Sequence, residues 1–300
     1  MPGTVIVGLD GSRESLAAAD WAAGEARLRS SSLRVVHVEE VESHHRRFLS
    51  SLDEETRERW RRMPDEAVAG LVGRHPGLEI EVERLSGRPA EVLREAAEGA
   101  ELLVLGSHGR GALTGFLVGS VALSTVAHVP CPLVLVRAGG EAESEAGGGV
   151  EGVGGSGARR EVVVGLELSR PAEEVVEFAF EAAAARGAPL RVVHGWEPLP
   201  VYGINPVALG PDPVAEPAEE KARVLSAALR RWRDGYPRVE VVEQVVIGRP
   251  ARRLLDVSAA ADLVVVGRRV RRSPLGFHVG PVTHALMHHS PVPVAVVPYR

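Results

Sequence analysis

The chain carries one domain-length pattern twice. VIVGLDGS (5–12) aligns with VVVGLELS (162–169), and LRVVHVEE (33–40) with LRVVHGWE (190–197), both at an offset of 157. SGRPAEVL (86–93) aligns with IGRPARRL (247–254), AELLVLGSH (100–108) with ADLVVVGRR (261–269), and VGSVALSTVAHVPCPLVLVR (118–137) with VGPVTHALMHHSPVPVAVVP (279–298), all at an offset of 161. Constant offsets over five blocks describe a duplicated domain, with a net four-residue insertion between the second and third blocks. Between the copies runs AGGEAESEAGGGVEGVGGSGARR, rich in Gly, Glu and Ser and almost without large apolar residues. Such a segment buries too little surface to offset its ordering entropy and reads as a flexible linker. The predicted organisation is a domain over 1–137, a linker over 138–160 and a second domain over 161–300.

Composition agrees with two ordinary globular units. The 300 residues are 45% hydrophobic, enough for two cores, and a net charge of −5 gives no reason to expect a nucleic-acid partner. The single cysteine, Cys131, cannot form an intrachain disulfide, which suits a reducing compartment. No apolar run approaches the roughly 20 residues of a membrane span, and MPGTVIVGLD lacks the charged-then-apolar form of a secretory leader. The expectation is a soluble, cytoplasmic protein.

Within each copy, short β-branched runs alternate with longer helical patterns. In the first copy the strands are VIVGL, LRVVHV, LEIEVERL, ELLVLG and PLVLVR. Several are apolar at nearly every position, as strands are when helices cover both sheet faces. Five strands and four helices per copy predict two tandem α/β domains, each a doubly wound, five-stranded parallel sheet of Rossmann-like type. Ligands of such sheets sit beyond the carboxyl ends of the strands, where the strand order reverses. If the first and fourth strands flank that point, LDGS and GSHGRG become neighbouring loops. The apolar closing strands PLVLVR and PVAVVPYR should not stay bare, so pairing between the halves or between chains is expected.

The second of these loops, GSHGRGALTGFLVGS (106–120), has five glycines in fifteen residues and no lysine. Glycines at 106, 109 and 111 permit close backbone approach and positive φ. Gly119 and Ser120 stand where the last helix should begin, Ser being favoured there. Unpaired N–H groups and the helix dipole at that point favour an anion by roughly 0.3–2 kcal/mol, and the Ser hydroxyl adds a donor. Phosphate can therefore be held without a lysine, with Arg110 a candidate for the rim. The same glycines also fit a plain strand-to-helix connection with no ligand. Asp10 is placed to accept from ribose hydroxyls or a base amino group, or alternatively to cap the next helix, a role Ser12 can take instead.

The pattern Gly106-x2-Gly109-x9-Gly119-Ser120, with VIVGLDGS at the first strand, resembles the ATP-binding class of universal stress proteins, whose fold is like that of the adenine nucleotide alpha hydrolases. The resemblance covers both halves and omits only the linker. It implies that Gly106, Gly109, Gly119 and Ser120 hold phosphates and ribose, that Asp10 contacts the adenine–ribose end, and that Val38 lines the base pocket. Leu9, His108, Arg110 and Val121 are peripheral candidates. It further implies ATP as ligand, with Mg2+ carried by the nucleotide, a role in stress or dormancy response, and dimerisation through the last strand. A tandem chain can meet that last demand internally as a pseudo-dimer, which can pair again as a homodimer.

The second copy departs from the pattern at four of six positions. Val270 stands for Gly109, Pro281 for Ser120, Glu167 for Asp10 and Gly195 for Val38. A β-branched residue replaces a conformationally free one, and proline removes hydroxyl and N–H together. The second copy is expected not to bind ATP in the family manner.

Other residue types weigh less. The Arg268–Arg272 cluster of GRRVRRS reads as a solvated loop with carboxylate partners, its alternative being an anion site. His284, His288 and His289 on the last helix read as surface or interface residues rather than metal ligands. His108 reads as a binding residue rather than a general base, and Cys131 as a buried small residue. GxSxG, HExxH, CxxC and the Walker A lysine do not occur. Phosphoryl transfer needs a cation at the γ-phosphate, metal-holding carboxylates and a placed nucleophile, so no catalytic residue and no protein metal site is assigned. The expected function is a nucleotide-responsive regulator or sensor with at most slow hydrolysis. A weak ATPase or nucleotidyl-transfer enzyme, and a ligand-free oligomerisation module, remain alternatives. Isothermal titration of the full chain with ATP should return one site per chain; two equal sites would contradict the expected loss in the second copy.

Overall fold

The computed structural model describes residues 3–40, 54–108, 118–138, 161–197, 215–270 and 279–300. The predicted linker lies outside these residues apart from Ala138, as do Gly109, Arg110, Arg271 and Arg272. The first half runs β1 (Thr4–Gly8), α1 (Arg13–Arg29), β2 (Ser32–Glu40), α2 (Glu54–Arg74), β3 (Ile80–Gly87), α3 (Pro89–Ala96), β4 (Leu102–Gly106), α4 (Ser120–His128) and β5 (Leu133–Val136). The second repeats the order as β6 (Glu161–Gly165), α5 (Glu173–Arg186), β7 (Leu190–Trp196), α6 (Ala215–Gly235), β8 (Val241–Ile247), α7 (Pro250–Ser258), β9 (Ala261–Arg269), α8 (Pro281–His289) and β10 (Val294–Tyr299). The Rossmann-like α/β reading of each half holds.

The two sheets are one. Among the described residues ten strands lie in the order β3-β2-β1-β4-β5-β10-β9-β6-β7-β8, parallel within each half and antiparallel only where β5 meets β10. Leu133, Val134 and Leu135 there face Val296, Ala295 and Val294. The strands expected to need cover thus cover each other within one chain. Among the described strands the edges are β3 and β8, and β3 carries Glu81, Glu83 and Arg84, charges that discourage further pairing.

Central strands are buried on both faces because successive side chains point opposite ways. In β1, Val5 and Val7 join the core beneath α1, while Ile6 joins the one beneath α3 and α4. Five of the six alanines of α1, Ala18, Ala19, Ala22, Ala23 and Ala26, are buried, and their small side chains let the helix lie close to the sheet. Among the described residues no helix is long and apolar enough to cross a membrane.

A buried charge cluster joins the halves beside the strand pairing. The Glu25 carboxylate, 1% exposed, takes Arg29 of its own helix at 2.7 Å and Arg186 of the second half. Arg29 and Arg186 are counterparts in the repeat, as are Trp21 and Phe178, and each guanidinium lies over the other half's ring, Arg29 over Phe178 at 5.0 Å and Arg186 over Trp21 at 5.9 Å. Burial acts to lower the Arg29 pKa, but the carboxylates of Glu25 and Glu101 outweigh it and hold it above its ordinary value. The pseudo-symmetry is broken at Glu25, whose counterpart is Ala182. One carboxylate therefore serves two guanidiniums. Glu25→Ala should lower unfolding free energy by about 3–5 kcal/mol, the usual cost of leaving a buried charge without its partner, as read by denaturant titration of the full chain.

Candidate functional site

β1 and β4 are adjacent and parallel, with Val5, Ile6 and Val7 beside Leu102, Leu103 and Val104. Strand order reverses there, with β2 on one side of β1 and β4 on the other, so the loops after β1 and β4 emerge together at the carboxyl end of the sheet.

The loop after β1 is shaped by its own polar groups. Asp10 Oδ1 accepts from Ser12 N at 2.9 Å and Ser12 Oγ at 2.6 Å. Between them Gly11 sits at φ +76, a conformation that strains any side chain. Ser12 is the N-cap of α1, and its Oγ accepts from Ser15 N at 3.1 Å. Capping therefore falls to Ser12, and Asp10, half-buried, anchors the turn through one oxygen. Leu9 is committed: its side chain is buried, its amide donates to Val36 O at 2.9 Å, and its carbonyl accepts from His37 Nδ1 at 2.8 Å. His37, which the motif reading passed over, thus fixes where Asp10 leaves the strand. The signal was present as the repeated RVVH, for His194 does the same to Leu166 O at 2.9 Å in the second half.

Gly106 has a packing reason to be glycine. It does not adopt positive φ. A Cβ there would sit 2.8 Å from Glu14 C and Ser15 N, so the residue is small because the first turn of α1 crosses it. Ser107 follows, buried, donating its amide to Val136 O at 2.8 Å and accepting Gly119 N at 2.9 Å. His108 Nδ1 lies 3.0 Å from Ser107 Oγ, and the His108 carbonyl is 3.5 Å from Ser12 Oγ. The Ser12 hydroxyl proton already goes to Asp10, so this last distance marks the two loops as neighbours rather than as bonded.

The start of α4 also differs in detail from expectation. Gly119 is the N-cap, with φ −65 and ψ 155, and no side chain caps the helix. Ser120 is the first helical residue, and it is exposed. The first intrahelical bond belongs to Leu123 N, donated to Gly119 O at 2.9 Å, so the amides of Ser120, Val121 and Ala122 are the helix's intrinsic surplus of donors. Val121 is 38% exposed beside them. Val38 is half-buried, packed against the core cluster that contains Ile6, Val36, Leu93 and Leu105. Gly109 and Arg110 lie outside the described residues.

The second half builds the same region differently. Glu167 is exposed and accepts from Ser169 N at 3.2 Å. Helix α5 begins only at Glu173, capped by Ala172 without a side-chain bond, three positions later than the repeat would place it. Pro171 stands where Glu14 does and bars its predecessor from helical geometry. Helix α8 starts at Pro281, so its first residue has no N–H to offer. Gly195 is required by packing, since a Cβ would meet Pro250 Cα at 2.7 Å. A cavity of about 500 Å³ opens here, lined among others by Glu167, Gly195, Trp196 and Lys221.

Arg268 is not the solvated loop residue that the arginine-rich sequence led us to expect. It is 4% exposed and donates through Nη1 to Ala127 O at 3.0 Å and through Nη2 to Val129 O at 2.5 Å. The pairing of β5 with β10 brings β9 up to the carbonyl end of α4, where a guanidinium satisfies orphan acceptors. Cys131 is buried, which pushes its thiol up to about 11. Among the described residues no group of three or more His, Cys, Asp or Glu could hold a metal ion.

The model of the universal stress protein family matches residues 1–137 and 158–298. A universal stress protein of Mycobacterium tuberculosis is 34% identical, the match covering 97% of this chain and 96% of that one. One from Mycolicibacterium smegmatis is 31% identical over 98% and 96%. Among solved structures, a universal stress protein from Archaeoglobus fulgidus superposes with a TM-score of 0.68 at 19% identity, covering 98% of each chain, a likeness of fold.

Burial, and next the Arg137 charge, hold His108 below its ordinary pKa of 6.5, with Glu14 pulling the other way. The fold therefore prefers neutral imidazole, and below about pH 6.5 the unfolded chain takes up the proton first, so this contribution destabilises as the pH falls. An NMR titration should give His108 a midpoint under 6.5, and His108→Asn should soften the acid loss of stability; a midpoint above that value would contradict the assignment.

Proposed function

The chain belongs to the universal stress protein family, and from that premise we propose that its first half binds ATP between the loops after β1 and β4. Asp10 faces the ribose and base, Val38 lines the base side, Gly119 lets the backbone come close, and Ser120 and Val121 present amides to the phosphates, with the Ser120 hydroxyl as a further donor. The observation that carries this reading is the parallel pairing of β1 with β4 at the point where strand order reverses, because it brings Asp10 and the residues after Gly106 out at the same end of the sheet. The uncapped start of α4, with an exposed Ser120 hydroxyl, has the chemistry an oxyanion needs. Gly106, Gly109, His108 and Arg110 complete the phosphate side in this reading. Mg2+ arrives with the nucleotide.

The protein then acts as a nucleotide-responsive regulator in the cytoplasm, with occupancy of the cleft altering a surface that a protein partner reads. Turnover is slow or absent, because the groups that would stabilise a transferring phosphoryl are not assigned. The second half does not bind ATP in this manner: Pro281 deletes an amide and a hydroxyl where Ser120 supplies both.

Copying the second half into the first tests this. Gly109→Val with Ser120→Pro should weaken ATP binding about tenfold or more, the loss of one or two anion-directed hydrogen bonds. Asp10→Asn, which keeps an acceptor for Ser12, should weaken nucleoside recognition without unfolding the turn. Unchanged affinity in all variants would defeat the site assignment, and ATP turnover well above background would favour the enzyme reading.

A further inference from the structure

The approach to α4 of the first half is held partly by the second half. Val118, the residue before Gly119, is buried, and its amide donates to Nδ1 of His288 on α8 at 3.3 Å. The next amide, Gly119 N, donates within its own half to Ser107 O at 2.9 Å. Two consecutive N–H groups leading into α4 are thus fixed from opposite sides, one by each half.

His288 is itself placed with care. Arg137, just past the end of β5, donates through Nη2 to the carbonyls of Met287 at 2.9 Å and His288 at 2.5 Å. The first half thereby grips the last turn of α8, where a cation also complements the helix dipole. His284, one turn earlier, packs its ring 4.3 Å from that of His288. Because an N–H must donate to it, Nδ1 is the unprotonated ring nitrogen. The arrangement runs one way only. The counterpart of His288 is Ala127, whose methyl offers no acceptor, and the first half's α4 instead receives Arg268 on its main-chain carbonyls.

We propose that His288 is a positioning residue for the nucleotide loop, through which the half without a working site sets the approach of Gly119 and Ser120 in the half that has one. This rests on the reading of that loop as the phosphate site. The degenerate copy thereby keeps a function, since a rotation of α8 or a shift of the halves would move the Val118 amide, and with it the start of α4. Occupancy of the cleft and the packing of the two halves then report on each other.

The test uses the full chain with His288→Leu, which keeps bulk but has no acceptor, and His288→Asn, whose amide oxygen can reach the place of Nδ1. Hydrogen exchange at the Val118 amide is read first without nucleotide, then ATP affinity is measured for each variant. The Leu variant should exchange Val118 about tenfold faster and bind ATP about tenfold more weakly, consistent with one lost buried hydrogen bond, and Asn should restore both. Unchanged exchange with Leu, equal speeding with Leu and Asn, or faster exchange with unaltered affinity each overturns the proposal. Should the Leu variant not fold, slow Val118 exchange in the Asn variant supports the contact and fast exchange overturns it. A wild-type chain that binds no ATP yet shows the expected exchange pattern would defeat the ligand assignment instead, leaving the contact intact.

Discussion

When β5 and β10 pair, Leu133–Leu135 beside Val294–Val296, the strands that would have ended two small sheets become the middle of one large one. Everything at the interface follows from that join. It brings β9 against the end of α4, so that Arg268 caps carbonyls of the other half, and brings the end of β5 against α8, so that Arg137 does the same in return. It also sets α1 beside α5, where Glu25 collects Arg29 and Arg186. A duplicated chain makes this join intramolecular, so the sequence was free to become asymmetric. Glu25 against Ala182, and His288 against Ala127, are asymmetries that a dimer of identical domains could not hold.

The same freedom explains why the loops after the first and fourth strands of each half are built differently. In the first half, Ser12 caps α1, Asp10 closes a turn over a positive-φ glycine, and α4 begins with its donors uncapped. In the second, Pro171 delays α5 and Pro281 strips α8 of a donor, while packing against Pro250 dictates Gly195. The two prolines do not unfold the second copy because each falls at a helix start, where proline is tolerated. They alter what the helix ends can hold.

Much of this was legible beforehand. The repeat, the strand count and the adjacency of the loops after β1 and β4 follow from periodicity and from strands apolar on both faces, and the structure has them. Residue roles were less legible. Gly106 looked free to take a positive φ, yet it does not, and the crossing of α1 leaves no room for a side chain there. Ser120 looked like a cap, yet Gly119 is the cap. Arg268 looked solvated within an arginine-rich loop but is among the most buried polar residues. For Gly106 and Arg268 the deciding neighbour lies far away in the chain, and no local pattern points to it. His288 falls in the same class, since its partner is 170 residues distant.

The amino-acid order alone settled that there are two copies, that each alternates strand and helix with both sheet faces covered, and that the second lacks the residue types of the first at the cleft. Those are matters of periodicity and of which atoms a side chain owns. Only the folded arrangement settled which copy supports which. Hydrogen-bond partners across β5 and β10 are chosen by the packing of whole layers, and a donor such as Val118 N meets its acceptor only once both halves are in place.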